Sequence, residues 1–404
     1  MMGADFKKGI CAGVLGTVLL AVGCFAGYQC AAGHSSDSVL SDSTVTEKLS
    51  HLEEMIDSYY LEDKDEEQLA EGLYAGLIYG LGDAYSCYYT AEEYEEESTS
   101  TEGAYVGIGV VMQKNREGGV LIVSCYEGGP GDQAGLKAGD IVSTVDGVDV
   151  TDASVSDVSD MIRGSEAEST TLTIHRENVD DSLEITVEIT DVEIPSVSHE
   201  MLEDQIGYIR ITEFNANTPA QYKEAFSDLS DAGMEKLVVD LRDNPGGLLT
   251  SVSDVLREIL PEGLIVYTED KNGNREEVTC DGEHPLDMPL AVLVNENSAS
   301  AAEIFAGAVQ DYGIGTIVGT TTYGKGVVQS IYPLSDGSAV KLTVSRYYTP
   351  KGHNIHGTGI TPDVEEKLDA SLLNKDSYSH EEDNQLQRAL SVLQEDESKG
   401  DENS

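Results

Sequence analysis

Between residues 191 and 370 the chain repeatedly sets a short apolar run ahead of an amphipathic one. IGYIRI, KLVVDLR, LAVLV and GTIVG read as buried strands, and PAQYKEAFSDL, LLTSVSDVLREIL and SAAEIFAGAVQD read as the helices between them. This alternation predicts an α/β sheet. Two further strands, GVVQSIY and AVKLTVSRYY, follow with no helix between them. A sheet of this kind places its site where strands end and helices begin.

Three loops directly follow predicted strands: RDNPGG at residues 242–247, NSASAAEIFAG from Asn297 to Gly307, and TTYGKGVVQ at residues 321–329. In the second, Ser300 and Glu303 match the S/T-x-x-E capping box, which satisfies orphan N–H groups at a helix start. Ser298, just ahead of the helix, is a second candidate cap, and Ser300 is also a candidate nucleophile. A serine hydroxyl is a weak nucleophile at neutral pH and needs a base within hydrogen-bond reach. No G-x-S-x-G elbow is present, and no histidine sits in a loop that a Ser/His/Asp arrangement would select. Lys325 can serve instead if its pKa falls from about 10.4 towards 7. Gly324 and Gly326 let it enter a dry cleft, whereas the acidity of the chain favours the ammonium, so desolvation has to win locally. Gln329, four residues further along an extended strand, is expected on the same face, where it can hold the amine without adding negative charge. The Ala301 N–H at the helix start points towards a developing oxyanion, and Gly246 in the NPGG turn offers a second donor.

From about Gly103 to residue 190 the texture changes to short β runs broken by glycine: YVGIGVVM, GGVLIVSCY, GDIVSTVDG and TTLTIHR. With AGLKAGD and the helix SVSDVSDMIRG, this block resembles the PDZ domains attached to exported proteases. The resemblance implies that the loop Tyr105, Val106, Gly107, Ile108 and Gly109 receives a chain-terminal carboxylate on its backbone N–H groups, with glycines allowing close approach. Arg163 is a candidate for coupling peptide binding to the site; its plainer reading is a solvated arginine at a helix end.

The chain carries 24 Lys+Arg against 75 Asp+Glu, a net charge of -51, which repels phosphate backbones and argues against a nucleic-acid partner. No charged residue lies between Lys8 and Asp37, and the run from Gly9 to Gly27 is long enough to cross a bilayer as a helix. Lys7 and Lys8 precede it, so a single span is expected with the amino terminus cytoplasmic and the remainder exported. An uncleaved anchor is the reading adopted; a cleaved signal peptide, with Cys30-Ala31-Ala32 as its site, is the alternative. Cys11, Cys24 and Cys30 lie in or beside the run, leaving Cys87, Cys125 and Cys280 scattered, so no disulfide framework is expected. No CxxC or HExxH occurs, and neither a metal nor a cofactor is expected.

Val45, Leu49, Leu52, Ile56 and Tyr59 share one helical face, and Leu69, Leu73, Leu77 and Leu81 recur at steps of four, predicting two helices that pack on the main body or on a second copy. EEYEEE near residues 92–97 reads as a solvated helix face. DNQLQRALSVL predicts a last helix, followed by an acidic, disordered end.

Taken in order, GLGDAYSCY, the PDZ block, VVDLRDNPGGLL, VLVNENSASAAEIFAGAVQD, TTYGKGVVQ, YYTPKGHNIHGTGITPD and DNQLQRAL are similar to the carboxyl-terminal processing (tail-specific) serine peptidases. The resemblance implies a ClpP/crotonase-like mixed α/β core at residues 191–370 with an inserted PDZ domain at 102–190. A cytoplasmic stub and signal-anchor (1–33), a linker and helical segment (34–101) and a terminal helix with acidic tail (371–404) complete the chain. It also implies Ser300 as nucleophile, Lys325 as base, Gln329 as the group orienting the lysine, and Gly246 with Ala301 as oxyanion donors. The substrates implied are polypeptides with apolar, unstructured C-termini, and a homodimer through terminal helices is a further implication. Two rivals stand beside this reading. Gly319 to Lys325 fits G-x-x-x-x-G-K, but Gly326 replaces the Ser or Thr that would ligand magnesium and no helix pattern follows. The other rival is a membrane-anchored peptide-binding module that no longer cleaves.

Overall fold

The computed structural model describes residues 38–401, apart from residues 117, 165, 166, 374 and 376. The expected membrane span from Gly9 to Gly27, with Cys11, Cys24 and Cys30, lies outside the described residues. Among those described, no helix is long and apolar enough to cross a membrane. Among the described residues, those up to Tyr74 belong to one compact unit and those from Ala75 to another.

Two helices open the described chain, α1 (Ser43–Tyr59) and α2 (Glu66–Tyr79). Asp42 caps the first by accepting the Thr44 N–H at 2.9 Å. Neither helix buries a residue, so Leu52, Leu69, Leu73 and Leu77 stay exposed. Strand β1 (Cys87–Tyr89) and helix α3 (Ala91–Glu102) follow; the helix begins at a Thr90–Glu93 capping box and stops at Gly103, whose φ of 66° suits a left-handed cap.

The chain then enters the small β domain through β2 (Ala104–Gly107) and passes through β3 (Val110–Lys114), β4 (Val120–Cys125), α4 (Pro130–Ala134), β5 (Ile141–Val145) and β6 (Val148–Asp149). Helix α5 (Val155–Arg163), β7 (Ser169–His175), β8 (Leu183–Glu188) and β9 (Thr190–Glu193) complete it. The antiparallel order is β3-β4-β5-β7-β8, while β2 and β9 pair with each other where the chain enters and leaves. Thr170, Leu172 and Ile174 alternate inward along β7, the period-2 pattern of a strand with one face buried. Leu172 and Ile174 join Val120, Ile122, Val142, Val158 and Ile162 in a core of the domain's own.

In the larger part, β10 (Val197–Met201), β11 (Ile206–Ile211), α6 (Thr218–Asp231), β12 (Lys236–Asp240), α7 (Leu249–Arg257), β13 (Gly263–Asp270) and β14 (Arg275–Cys280) come first. Next are β15 (Leu290–Val294), α8 (Ala301–Tyr312), β16 (Thr316–Gly319), β17 (Val327–Pro333), β18 (Ala339–Tyr348), β19 (Val364–Glu365) and α9 (Asn384–Asp401). One sheet has the order β10-β11-β12-β15-β16-β19, parallel except for β10. A second, antiparallel sheet has the order β1-β18-β13-β14, with β17 also on β18. The two central strands β12 and β15 are buried at every residue because both sheet faces are covered. One face packs on Phe305, Leu256 and Tyr222 of the intervening helices, the other on Leu386, Ala389 and Leu393 of α9. Helix α9 continues to Asp401, so the start of the acidic end is helical and not unstructured; no proline or glycine interrupts the run after Leu393 until Gly400.

A buried ionic cluster fastens α9 beside the site. Arg242 donates to Asp240 Oδ2 at 2.6 Å and to Asp383 Oδ1 at 3.0 Å, and the Tyr208 hydroxyl donates to Asp240 Oδ2 at 2.7 Å. Asp383→Ala leaves the guanidinium with only part of its countercharge, and a loss of about 3 kcal/mol is expected. The urea midpoint of the larger α/β part, together with protease sensitivity of α9, measures it.

Candidate active site

Three loops meet at the ends of β12, β15 and β16. The Ser298 hydroxyl donates to the Leu241 carbonyl at 2.7 Å and accepts the Asn295 N–H at 2.9 Å, tying the loop after β15 to the end of β12. Ser298 is therefore a loop clasp, and Ser300 stands immediately before the helix. There the backbone takes φ 52°, ψ -113°, a conformation costly for a residue with a Cβ. The Glu303 N–H donates to the Ser300 carbonyl at 2.9 Å, and the Ser300 side chain stands over the same N–H in capping-box geometry. The Tyr347 hydroxyl donates to the same carbonyl at 3.1 Å.

Glu303 is fully buried and knits the site together. Its Oε2 accepts the N–H groups of Ser300 at 2.9 Å and Lys325 at 2.8 Å. Its Oε1 accepts the Thr322 hydroxyl at 2.5 Å and the Gly324 N–H at 2.7 Å. One carboxylate thus sets the serine loop against the lysine loop. The glycines beside Lys325 answer a packing demand: a Cβ at Gly326 would lie 2.6 Å from the His356 nitrogen, and one at Gly324 would lie 3.0 Å from the Gly359 nitrogen. The segment GHNIHGTG backs the lysine loop at that distance.

Ser300, Ala301, Gly246, Lys325 and Gln329 all line one cavity of about 550 Å³, whose apolar wall includes Phe214, Leu249, Ile304 and Val328. Lys325 is more than half buried, with Nζ 5.2 Å from the centre of the Tyr85 ring. Its pKa is lowered, first by burial and then by the positive charge of Lys341, against Glu97, Asp83 and Glu303, which raise it. Desolvation outweighs the acidity of the surroundings here. Among the described hydrogen bonds none joins Lys325 to Ser300 or Gln329. The Gln329 amide instead donates to the Thr343 hydroxyl at 3.2 Å. Lys325 precedes β17, which begins at Val327 and whose register shifts between Val328 and Gln329, yet both residues line the same cavity.

Gly246 packs directly on the serine: with φ 110°, a Cβ there would sit 2.7 Å from Ser300 Cβ and 3.0 Å from the Ala301 nitrogen. Its own N–H donates to Asn244 Oδ1 at 2.8 Å. The Ala301 N–H stands in the first turn of α8, where helical amides lack a partner within the helix. Two groups in the cavity wall were missed by sequence reasoning, Lys341 and Glu97, which pair with each other. EEYEEE is therefore only partly a solvated face.

A second cavity, of about 260 Å³, lies in the β domain and is lined by Tyr105, Gly107, Ile108, Val110, Ile162 and Arg163 among others. Gly109 has φ 69°, which strains any other residue, and a Cβ at Gly107 would meet the Tyr105 ring at 2.4 Å and force it to shift. Val106 points to solvent at 50% exposure. The Arg163 guanidinium lies 5.5 Å from the Tyr105 ring centre and 3.7 Å from Glu95, and its buried Nε has no hydrogen-bond partner. Among the described residues no group of three or more His, Cys, Asp or Glu is placed to hold a metal ion.

A mixed α/β core with an inserted PDZ domain, its cavity set at strand ends beside a strained serine, defines a PDZ-bearing peptidase. Residues 205–366 match peptidase family S41, residues 121–176 match the PDZ domain, and residues 21–93 match the activating protease CtpB N-terminal domain. A carboxyl-terminal-processing protease of Synechocystis sp. is 36% identical over 307 residues, 75% of this chain and 71% of that protein. A Staphylococcus aureus protein named "Probable CtpA-like serine protease" is 32% identical over 327 residues, 80% of this chain and 65% of its own length. A structure assigned to the S41 proteases, from Bacteroides fragilis, shares the fold with a TM-score of 0.51 at 18% identity, over 83% of this chain and 92% of that one. The chain belongs to peptidase family S41, the carboxyl-terminal-processing serine peptidases.

Proposed function

We propose that the chain is a membrane-anchored, extracytoplasmic endopeptidase that cuts polypeptides near their C-termini with Ser300 and Lys325. The observation that carries this reading is a strained serine and a partly buried lysine of lowered pKa facing one cavity. The neutral Lys325 amine takes the Ser300 proton as Oγ attacks the scissile carbonyl carbon, and the carbonyl oxygen becomes an oxyanion held by the Ala301 N–H. The Gly246 N–H joins it on leaving Asn244. The Lys325 ammonium then gives its proton to the departing amine, leaving an acyl-serine that water, deprotonated by the same lysine, hydrolyses. Gln329 orients the amine once its amide turns from Thr343.

The PDZ loop from Tyr105 to Gly109 receives the substrate tail, and Arg163, with its unpartnered Nε, is the cation for the terminal carboxylate. The apolar cavity wall suits apolar side chains beside the cut. The uncharged run from Gly9 to Gly27 is the anchor, and the exposed apolar residues of α1 and α2 are the surface for a homodimer.

The full chain is incubated with an unfolded reporter ending in apolar residues and with the same reporter ending in aspartates. Cleavage near the apolar terminus is expected, with a rate that rises with pH through the lowered Lys325 pKa. No cleavage of either reporter removes the peptidase reading, equal cleavage of both removes tail recognition, and a rate flat from about pH 5 to about 10 removes the lysine base.

A further inference from the structure

The hairpin of β17 and β18 sets Gln329 opposite Thr343 and Ile331 opposite Lys341. Gln329, Ile331 and Lys341 all face the cavity that holds Ser300 and Lys325. Lys341 is a second cation in that wall, and the proton transfers described above have no use for it. It is held rigidly: Nζ donates to Glu97 Oε1 at 2.5 Å and to the Tyr89 hydroxyl at 3.1 Å, and its side chain is only 23% exposed. Glu97 comes from α3, a helix whose acidic sequence gave no sign of a role in the site.

Helix α3 is a wall shared by two cavities. Glu95 and Glu97, two residues apart, are separated by about 200° around the helix and so face opposite ways. Glu95 meets Arg163 of the PDZ domain, while Glu97 meets Lys341. Thr99 lines the PDZ cavity, and Glu97, Ser100 and Thr101 line the cavity of the serine.

We propose that Lys341 is a positioning residue for the reaction, its fixed charge keeping Lys325 in the amine form, and that Glu97 sets how strongly that charge is felt. This rests on Lys325 being the base. Charged and titratable groups reach Lys325 from every neighbouring element: Lys341 from β18, Glu97 from α3, Asp83 and Tyr85 from the segment before β1, and Glu303 from α8. Tyr323 lies in the lysine's own loop, and His356 stands behind it next to Gly326 and the Tyr85 ring. Apart from a protonated His356, Lys341 is the one cation in this set, and three carboxylates oppose it. Without it, burial alone would have to hold the lysine neutral. Because Glu97 rides on α3, any shift of that helix alters the net charge that Lys325 meets.

The test is the pH profile of kcat/KM for the full chain. Lys341→Met is expected to move the acid limb up by about 0.5 to 1 pH unit, and Glu97→Gln to move it down by a similar amount. Lys341→Arg keeps the charge and is expected to keep the wild-type limb. If the wild type has a limb and neither Lys341→Met nor Glu97→Gln moves it, or both move it the same way, the proposal fails while the lysine base stands. If the wild type has no limb, or Lys325→Ala cleaves like wild type, the base reading itself fails. Should Lys341→Met not fold, the direction of the Glu97→Gln shift decides.

Discussion

Ser300→Ala is expected to lower kcat/KM on an apolar-tailed substrate by about 10⁴-fold or more, to whatever residual rate binding and the oxyanion donors sustain. The side chain supplies the only hydroxyl in the cavity that combines a strained backbone with an adjacent unpartnered helix-start amide. The substitution removes at most a weak cap contact, because the Glu303 N–H also donates to the Ser300 carbonyl and the Glu303 carboxylate accepts the Ser300 N–H. Folding is therefore expected to be unchanged, and the loss is read as chemistry. Lys325→Ala should fall to a similar floor, and the double variant should fall no further, as the proposed nucleophile and base would act as one unit. Lys325→Arg should also be inactive, because a guanidinium stays protonated and has no lone pair to accept the serine proton. Single-turnover cleavage followed by mass spectrometry measures all four variants. A Ser300→Ala protein that cleaves within tenfold of wild type would sink the nucleophile.

The parallel sheet was legible because strands buried on both faces read as near-continuous apolar runs, as LAVLV and the LVV within KLVVD do. The small β domain was legible from alternation and glycine turns. The hairpin of β13 and β14 was missed, although Asn272-Gly273 sits at its turn between two β-rich runs. What sequence could not carry was anything dependent on register or on partners remote along the chain. Lys341 faces the cavity only through its pairing with β17, past a shift that no spacing announces. Glu97 meets Lys341 across 244 positions of sequence. The Gly324 and Gly326 positions were read as freedom for a lysine, whereas the structure makes them clearance for the segment around His356 and Gly359. The same limit applies to Gly246, whose place beside Ser300 was foreseen but whose bond to Asn244 was not.

The residue whose role reaches furthest beyond its sequence reading is Glu303, which the S/T-x-x-E pattern presents as a helix cap and which does cap α8. Capping accounts for one of its four hydrogen bonds; the other three reach the loop of Lys325, more than eighteen residues away in sequence. Glu303→Gln is expected to cost about 3 to 5 kcal/mol of stability and to lower kcat by about 10²-fold or more. The replacement has the same shape, so no cavity forms. Its amide nitrogen, however, is a donor, and each carboxylate oxygen it could replace now accepts from two donors. Whichever way the amide turns, two N–H or O–H groups face another N–H, and the lost charge weakens the remaining pair. The strained Ser300 backbone is held partly by this carboxylate, so the loops should relax apart and Ser300 should drift from Lys325. Removing the acid would also remove one of the charges that raise the lysine pKa. That favours the amine, so a fall in kcat cannot come from a protonated base and must come from geometry. Denaturant unfolding and kcat measured on the alkaline plateau separate the two quantities. A Glu303→Gln enzyme with wild-type kcat on that plateau would show that the carboxylate merely caps α8.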